Sequence, residues 1–329
     1  MQYSVCIIKS RNESIFWESY MKKYLLILLL LCLSVDASAS EKLKIGVLLI
    51  EDSVPMYVAE QEKLFVREGV AVELIPFLSA LERDSAIIAG AIDGAISDPV
   101  GALLFDKGRG ILKITALCLG KTPAEGVFAI LASPQSDIQN VDDLKNTQVA
   151  VSTGTIIEYV TERLLTEQGF SPDQIKTIEV KKMPIRMQML LSDSVKAATL
   201  PEPLASIAAA KGARILVSDA MSKNSLSQTV IVFRAEVLQS RRGDVAAFFR
   251  GLTEAVQKIN ENPEQYRQLF VEKGRIPPFL AEKYSIPLFP TPELFSRDLY
   301  APVIGWLSAK KLVKPLAYET MVATDFLTE

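Results

Sequence analysis

The sequence predicts an α/β protein of two lobes, each a mixed, mostly parallel sheet flanked by helices. Three observations predict it. From Leu43 onward, strands and helices alternate in units of about thirty residues, the order that builds a parallel sheet covered by helices. The order runs twice: a strand at Gly126–Leu131 leaves the first run and another at Val230–Phe233 returns to it, which gives two crossings between lobes. The 329 residues are 49% apolar and 23% charged, enough apolar material for two ordinary cores and an ordinary charge content for a folded chain.

Taken in order, Leu43–Leu49 reads as a largely buried strand. A helix over Val54–Arg67 follows, with Pro55 in its first turn, where a missing N–H is harmless, and Gly69 past its end. Val72–Phe77 is the second strand, residues 80–89 are a short helix closed by Gly90, and residues 93–97 are the third strand, with a helix opening at Asp98-Pro99. Ile111–Leu119 is the fourth. In the second run Val149–Val151 is a strand and a helix runs from Ser152–Thr155 to about Gln168. There Thr155 and Glu158 stand at the spacing of a capping box, and Gly169 supplies the stop. Thr177–Val180, Val195–Thr199 and Ala213–Val217 are further strands. Beyond the return strand the chain is helical. Val245, Phe248, Leu252, Val256 and Ile259 recur at helical spacing, Pro263 opens another helix, and a last one near 292–309 is kinked at Pro302. These elements place residues 40–125 and 229–329 in a discontinuous first lobe and 126–228 in the second.

Residues 1–39 read as leader and signal peptide. Lys22-Lys23 follows the internal Met21, Tyr24–Leu33 is apolar, and Ala37-Ser38-Ala39 sets small residues where a signal peptidase reads, so the mature chain is expected to begin at Ser40 outside the cytoplasm. The apolar run is too short to span a bilayer. Cys32 is preceded by Leu31 rather than a small residue, which favours simple cleavage over lipid anchoring at Cys32.

Composition narrows the chemistry. Lys+Arg is 36 and Asp+Glu is 39, so the net charge is −3 and no basic excess exists to hold nucleic acid. Histidine is absent, which removes histidine bases, triads and imidazole metal ligands together. Cys6, Cys32 and Cys118 fit neither a metal cluster nor a disulfide framework, and Cys118, inside an apolar stretch, reads as a small core residue. No cofactor or metal is expected.

In open α/β sheets a ligand sits beyond the carboxyl ends of the strands. That rule selects Glu51, Asp52 and Ser53 after the first strand, Phe77 after the second, and Ser97 and Asp98 after the third. In the second lobe it selects Ser152, Thr153, Gly154 and Thr155, with Tyr159 on the same helix, and Glu202. Two hydroxyls, a glycine and the free N–H groups of a helix start at Ser152–Thr155 suit an anion or polar head, or simply a cap. Asp98 before Pro99 reads first as an N-cap, and Tyr159 also fits a buried stripe. Arg186 is the one cation that could meet an acidic ligand. Glu202, between Pro201 and Pro203, is a poor N-cap, which leaves its carboxylate for a ligand N–H or hydroxyl.

Several segments together resemble a known family. Pro55-Met56-Tyr57-Val58-Ala59-Glu60 followed by Leu64-Phe65-Val66-Arg67-Glu68-Gly69 is similar to its opening motif, with Lys63 where that family usually has glycine. Ile92-Asp93-Gly94-Ala95-Ile96, Asp143-Leu144-Lys145 with Val149-Ala150-Val151 (Asn146 replacing a glycine) and Ala197-Ala198-Thr199-Leu200-Pro201-Glu202-Pro203 resemble later motifs. The family is the periplasmic substrate-binding proteins of ABC importers, in the SsuA-like branch for sulfonates, nitrate, taurine and thiamine pyrimidine precursors. The resemblance spans about residues 43–327. It implies a two-lobed type II periplasmic-binding-protein fold with two hinge crossings. It also implies a cleft that closes on a small molecule, and an ABC permease and ATPase as partners.

The expected function is therefore solute capture without chemistry. Two alternatives stay open: a periplasmic lyase or dehydratase using Glu51 or Glu202 as base, and a sensor module. Acidic candidates (Glu51, Asp52, Asp98, Glu202) outnumber the basic one, which tilts the ligand towards an amine-bearing or heteroaromatic solute and leaves sulfonate and nitrate open.

Overall fold

The computed structural model describes residues 41–326; the leader, including Met21, Cys32 and the Ala37–Ala39 site, lies outside them. Two five-stranded sheets form the framework. The first has the order β2-β1-β3-β10-β4, from Leu43–Leu48 (β1), Val72–Phe77 (β2), Gly94–Ser97 (β3), Leu112–Leu119 (β4) and Thr229–Arg234 (β10). The second has the order β7-β6-β8-β5-β9, from Phe128–Ala132 (β5), Gln148–Val151 (β6), Lys176–Glu179 (β7), Ala197–Pro201 (β8) and Arg214–Ser218 (β9). In each, one strand runs against its two neighbours: β10 between β3 and β4, and β5 between β8 and β9. Those two strands are where the chain enters the second sheet and where it comes back. Pro76, which cannot donate to a ladder, stands on edge strand β2, where its nitrogen is not needed.

Helices cover the sheets through apolar faces. The helix Arg242–Glu261 buries Val245, Phe248, Leu252, Val256 and Ile259, the stripe its spacing predicts, against the helices Val54–Gln61 and Leu64–Arg67. Phe65 stacks on Phe248 at 5.2 Å. The helix Arg297–Ala309 begins at its Ser296 cap rather than near 292, because Glu293 is taken up in backbone pairing with Leu117. The helix Met183–Leu191, which the sequence pattern did not signal, follows β7 and starts at Met183-Pro184.

The single helix expected over 54–67 is two helices. Lys63 takes a left-handed conformation, φ +57°, and breaks the run between Gln61 and Leu64. This is the position where the resembled motif carries glycine, the residue with least cost in that conformation. Asn146, at the second replaced glycine, has φ +64°, and asparagine tolerates it better than lysine does.

The two crossings, 120–127 and 219–228, run backbone against backbone. A β-carbon on Gly120 would lie 2.4 Å from the Ser227 carbonyl oxygen, and one on Gly126 2.4 Å from the Ala220 nitrogen. Asp219 Oδ1 accepts from Phe128 N at 2.9 Å and ties the crossings where β5 begins.

Lys63→Gly should raise stability by about 0.5–1 kcal/mol, the left-handed cost removed less the extra entropy of an unfolded glycine. Urea unfolding checks it; a loss of stability would show that the lysine conformation carries no cost.

Candidate functional site

The reversed direction of β5 and β10 sets the site. Because each opposes its neighbours, its amino end lies beside their carboxyl ends: Phe128 pairs with Pro201, Thr229 with Leu119 and Val230 with Ser97. The mouth of each sheet therefore collects the ends of parallel strands and the start of a crossing strand. Between the mouths lies an inner chamber of about 40 Å³, lined by Leu48, Ile50, Asp52, Arg83, Ile96, Ser97, Asp98, Gln228 and Thr229, and by Val127, Phe128, Ile156, Ile157, Met183 and Pro201. It is mostly apolar and nearly shut. An outer chamber of about 560 Å³ shares Val127 with it and is lined by Glu51, Thr122, Glu125, Glu202, Ser206, Tyr284 and Leu288, among others. The adjacent carboxylates Glu51 and Asp52 thus serve different chambers.

In the inner chamber the polar groups fall into two sets. One set is internally matched. Arg83, 2% exposed, contacts Asp84 at 2.8 Å and Asp98 at 3.3 Å, Ser97 donates to Asp84, and Asp98 also caps the helix Pro99–Asp106 by accepting from Gly101 N at 2.7 Å. The other set is unmatched. Asp52 is 5% exposed, and neither carboxylate oxygen has a hydrogen-bond partner among the described residues. Thr229 Oγ1 and Gln228 Oε1 are also buried without partners, whereas the Gln228 amide nitrogen is held by Ser225 O at 2.9 Å. Burial pushes the Asp52 carboxyl up to about 7. Its own N–H and the Thr229 hydroxyl, close but not placed for hydrogen bonds, partly offset this, and Asp219 adds to it.

In the outer chamber Tyr284 donates to Glu51 Oε2. Burial, then the neighbouring Asp52 and Glu202, raise the Glu51 carboxyl well above the carboxylate range, against the pull of Tyr284. Glu202 accepts from Ser206 N at 3.2 Å and Ser206 Oγ at 3.0 Å, so its carboxylate is turned back on the following helix while still lining the chamber. Burial raises its pKa, and the Ser206 bonds counter that.

The structure brings Asp52, Ser97 and Asp98 to the inner chamber and Glu51 and Glu202 to the outer one. The other selected residues line neither. Ser53 is buried under β1, where its hydroxyl accepts from Leu48 N. Phe77, half-buried, ends an edge strand and lies under Gly46. Ser152 is buried with its carbonyl bonded by Thr155 Oγ1. Thr155 caps the helix Ile156–Glu167 by accepting from Ile157 N; the capping box does not form, since Glu158 reaches past Thr155 to Gly154 N at 2.7 Å. Thr153 N donates to Glu179 at 2.7 Å. The amides that could have cradled an anion at Thr153-Gly154 are thus held by two carboxylates. Tyr159 is buried edge-on against Trp306 at 5.3 Å. Arg186 is buried but donates to the carbonyls of Val180 and Thr199, away from both chambers, and burial lowers its pKa to about 10, so it stays a cation. Cys118 is half-buried on β4, its thiol pushed far up by burial and the neighbouring Asp52. Among the described residues no group of three or more Cys, Asp or Glu could hold a metal.

Gln228, Thr229 and Arg83 are the residues that sequence reasoning missed. The strand-end rule looks at carboxyl ends, and Gln228-Thr229 stands at the amino end of a reversed strand. The available signal was a polar pair directly before the apolar run Val230–Phe233 on the strand read as the return crossing.

Across the cleft the helix Arg297–Ala309, packed on the first lobe's Pro99–Asp106, reaches the second lobe. Lys310, just past its end, contacts Glu158 at 2.7 Å and also Glu162, and Trp306 Nε1 donates to Glu162 at 2.8 Å. Lys182 faces Glu82 at 3.6 Å.

Two mixed sheets joined by paired crossings, with a cleft between their mouths, define the two-lobed periplasmic-binding-protein fold. Within it, the chain belongs to the NMT1-like family, whose model matches residues 36–271. No curated protein matches the chain. Among solved structures, the alkanesulfonate-binding protein SsuA from Xanthomonas axonopodis pv. citri bound to MOPS superposes with a TM-score of 0.72 at 17% identity, over 86% of this chain and 98% of that one. The ligand-binding component of an ABC-type import system from Staphylococcus aureus, with zinc bound, has a TM-score of 0.72 at 18% identity, over 88% and 99%. The desulfurization enzyme DSZB has a TM-score of 0.66 at 13% identity, over 86% and 97%. At these identities the likeness is one of fold.

The unmatched Asp52 gives a pH prediction. Burial pushes its carboxyl up to about 7 in this structure, and lobes that opened to water would return it towards its ordinary 3.8. Shutting therefore takes up a proton between those values, and ionised Asp52 opposes closure above about pH 7 by an amount on the order of 4 kcal/mol. The ligand-free protein should shrink in X-ray scattering as pH falls from 8 towards 5, and Asp52→Asn should be equally compact at both. Asp219, Asp84, Asp98, Glu51 and Arg83 are retained in the variant, so a shrinkage that persists in Asp52→Asn would assign the effect to them.

Proposed function

We propose that this protein is the extracytoplasmic solute-binding component of an ABC-type importer. It captures a small polar molecule between lobes formed by 40–125 with 229–329 and by 126–228, and it delivers that molecule to a membrane permease and its ATPase. The observation that carries this reading is the nearly shut cleft with unmatched polar atoms on three of the residues that line it. A carboxylate, a hydroxyl and an amide oxygen without protein partners among the described residues cost about 1–3 kcal/mol each unless something else completes their hydrogen bonds. A ligand that arrives while the lobes are apart would supply the partners and make closure favourable. At about 40 Å³ the shut chamber holds little more than one or two waters, so entry of any solute requires the lobes to separate. Family membership and the binding proteins that share the fold support the reading.

Export through the signal peptide beginning at Met21, with the mature chain starting at Ser40, completes this assignment. No helix among the described residues is long and apolar enough to cross a membrane, so this reading gives the folded part no membrane span of its own. One observation favours a second reading, a lyase or dehydratase. Glu51, bonded by Tyr284 and facing the same chamber as Glu202, has the raised pKa a general acid or base needs, and an enzyme shares the fold. Product accumulating in excess of protein would establish that reading.

Small molecules released from the purified protein, identified by mass spectrometry and returned to emptied protein in a calorimeter, test the receptor reading. The bound ligand should reduce the radius of gyration, and Lys310→Met, which removes the contact with Glu158 and Glu162, should weaken binding about three- to tenfold by favouring the open form. An unchanged scattering curve at saturation would contradict closure.

A further inference from the structure

We infer that the inner chamber selects a compact solute that presents a protonated nitrogen or amidine-type N–H groups, seated on Asp52 and Gln228 Oε1, and that it rejects sulfonates and other anions. The inference rests on the solute-binding reading and deepens it.

A solute that shuts the cleft must complete what the protein leaves incomplete. The incomplete atoms are two carboxylate oxygens, one amide oxygen and one hydroxyl, on residues that are 5%, 2% and 8% exposed. Three of the four can only accept a hydrogen bond while Asp52 is ionised, and the hydroxyl can do either. A cationic nitrogen with two or more N–H groups supplies the donors that these acceptors lack. A sulfonate meets none but the hydroxyl and would set negative charge beside a buried carboxylate.

Apart from the Thr229 hydroxyl, the anion-binding candidates named above are already occupied. Arg83, the cation in the chamber, faces two carboxylates. The amides of Thr153 and Gly154, at the start of the second-lobe helix, are bonded by Glu179 and Glu158. Arg186 spends its donors on Val180 and Thr199 carbonyls. What remains of the wall, including Ile96, Phe128, Ile156 and Met183, is apolar and suits a small hydrocarbon or aromatic body.

Matched probes test this with the full-length mature protein. Benzamidinium and benzenesulfonate share a phenyl body and differ in the head; acetamidinium and methanesulfonate repeat the comparison at smaller size. At least one amidinium should bind in calorimetry and raise the melting temperature, and neither sulfonate should. Asp52→Asn should weaken the amidinium at least tenfold, and Thr229→Val, which leaves the carboxylate in place, should weaken it less. Circular dichroism and the melting temperature of each variant without probe establish that it folds. Sulfonate binding with no amidinium binding would overturn the inference and leave the receptor reading standing. Amidinium binding that is unchanged in Asp52→Asn would overturn it too, by placing the cation elsewhere. If no probe binds and the co-purified solute is an anion, the inference fails alone; if no small molecule of any charge binds or shrinks the protein, the receptor reading fails with it.

Discussion

A carboxylate buried between two lobes without a partner is the interaction on which the rest depends. Burying an ionised group is unfavourable unless it is paired, and among the described residues neither Asp52 oxygen has a hydrogen-bond partner, with its own N–H and the Thr229 hydroxyl close by but not aligned on it. The fold could have neutralised it with Arg83, which lines the same chamber, but Arg83 is engaged by Asp84 and Asp98. The cost of shutting the cleft is therefore concentrated at one atom pair, where a ligand can relieve it. That converts affinity into closure: a solute shifts the equilibrium between open and shut only by what it contributes in the shut form beyond the open one.

The contacts that favour closure without a ligand are of another kind. Lys310 and Trp306 reach Glu158 and Glu162 from the far side of the cleft, partly exposed to solvent, where such pairs contribute little. Glu158 joins this bridge to the amide of Gly154, so the loop at the second lobe's helix start is held by the same residue that meets the first lobe. In the proposed receptor, weak lobe-to-lobe contacts and one strongly unfavourable group would leave closure to be decided by the ligand.

Much of this was legible in the sequence. Strand and helix alternation gave the two-lobed order, and the glycine-to-lysine and glycine-to-asparagine replacements at 63 and 146 marked places where the backbone turns left-handed. Asp52, Ser97, Asp98, Glu51 and Glu202 were selected because they follow parallel strands, and the structure sets them along the two chambers. What stayed hidden had physical causes. Gln228 and Thr229 sit on a strand whose direction reverses, and direction is a property of pairing, not of local pattern. Nothing local to Ser152–Thr155 shows that Glu179, distant in sequence, arrives on β7 to take the Thr153 amide. Tyr159 was ambiguous until Trp306, from the end of the chain, covered it.

The most direct measurement is a crystal structure of the protein with its co-purified solute, read at one place. The account predicts a solute nitrogen within hydrogen-bond distance, about 3 Å, of Asp52, with Gln228 Oε1 accepting a second N–H and the lobes shut around both. A solute whose oxygen anion lies against Arg83 or the Thr153-Gly154 amides, with Asp52 paired to a protein cation, would contradict it.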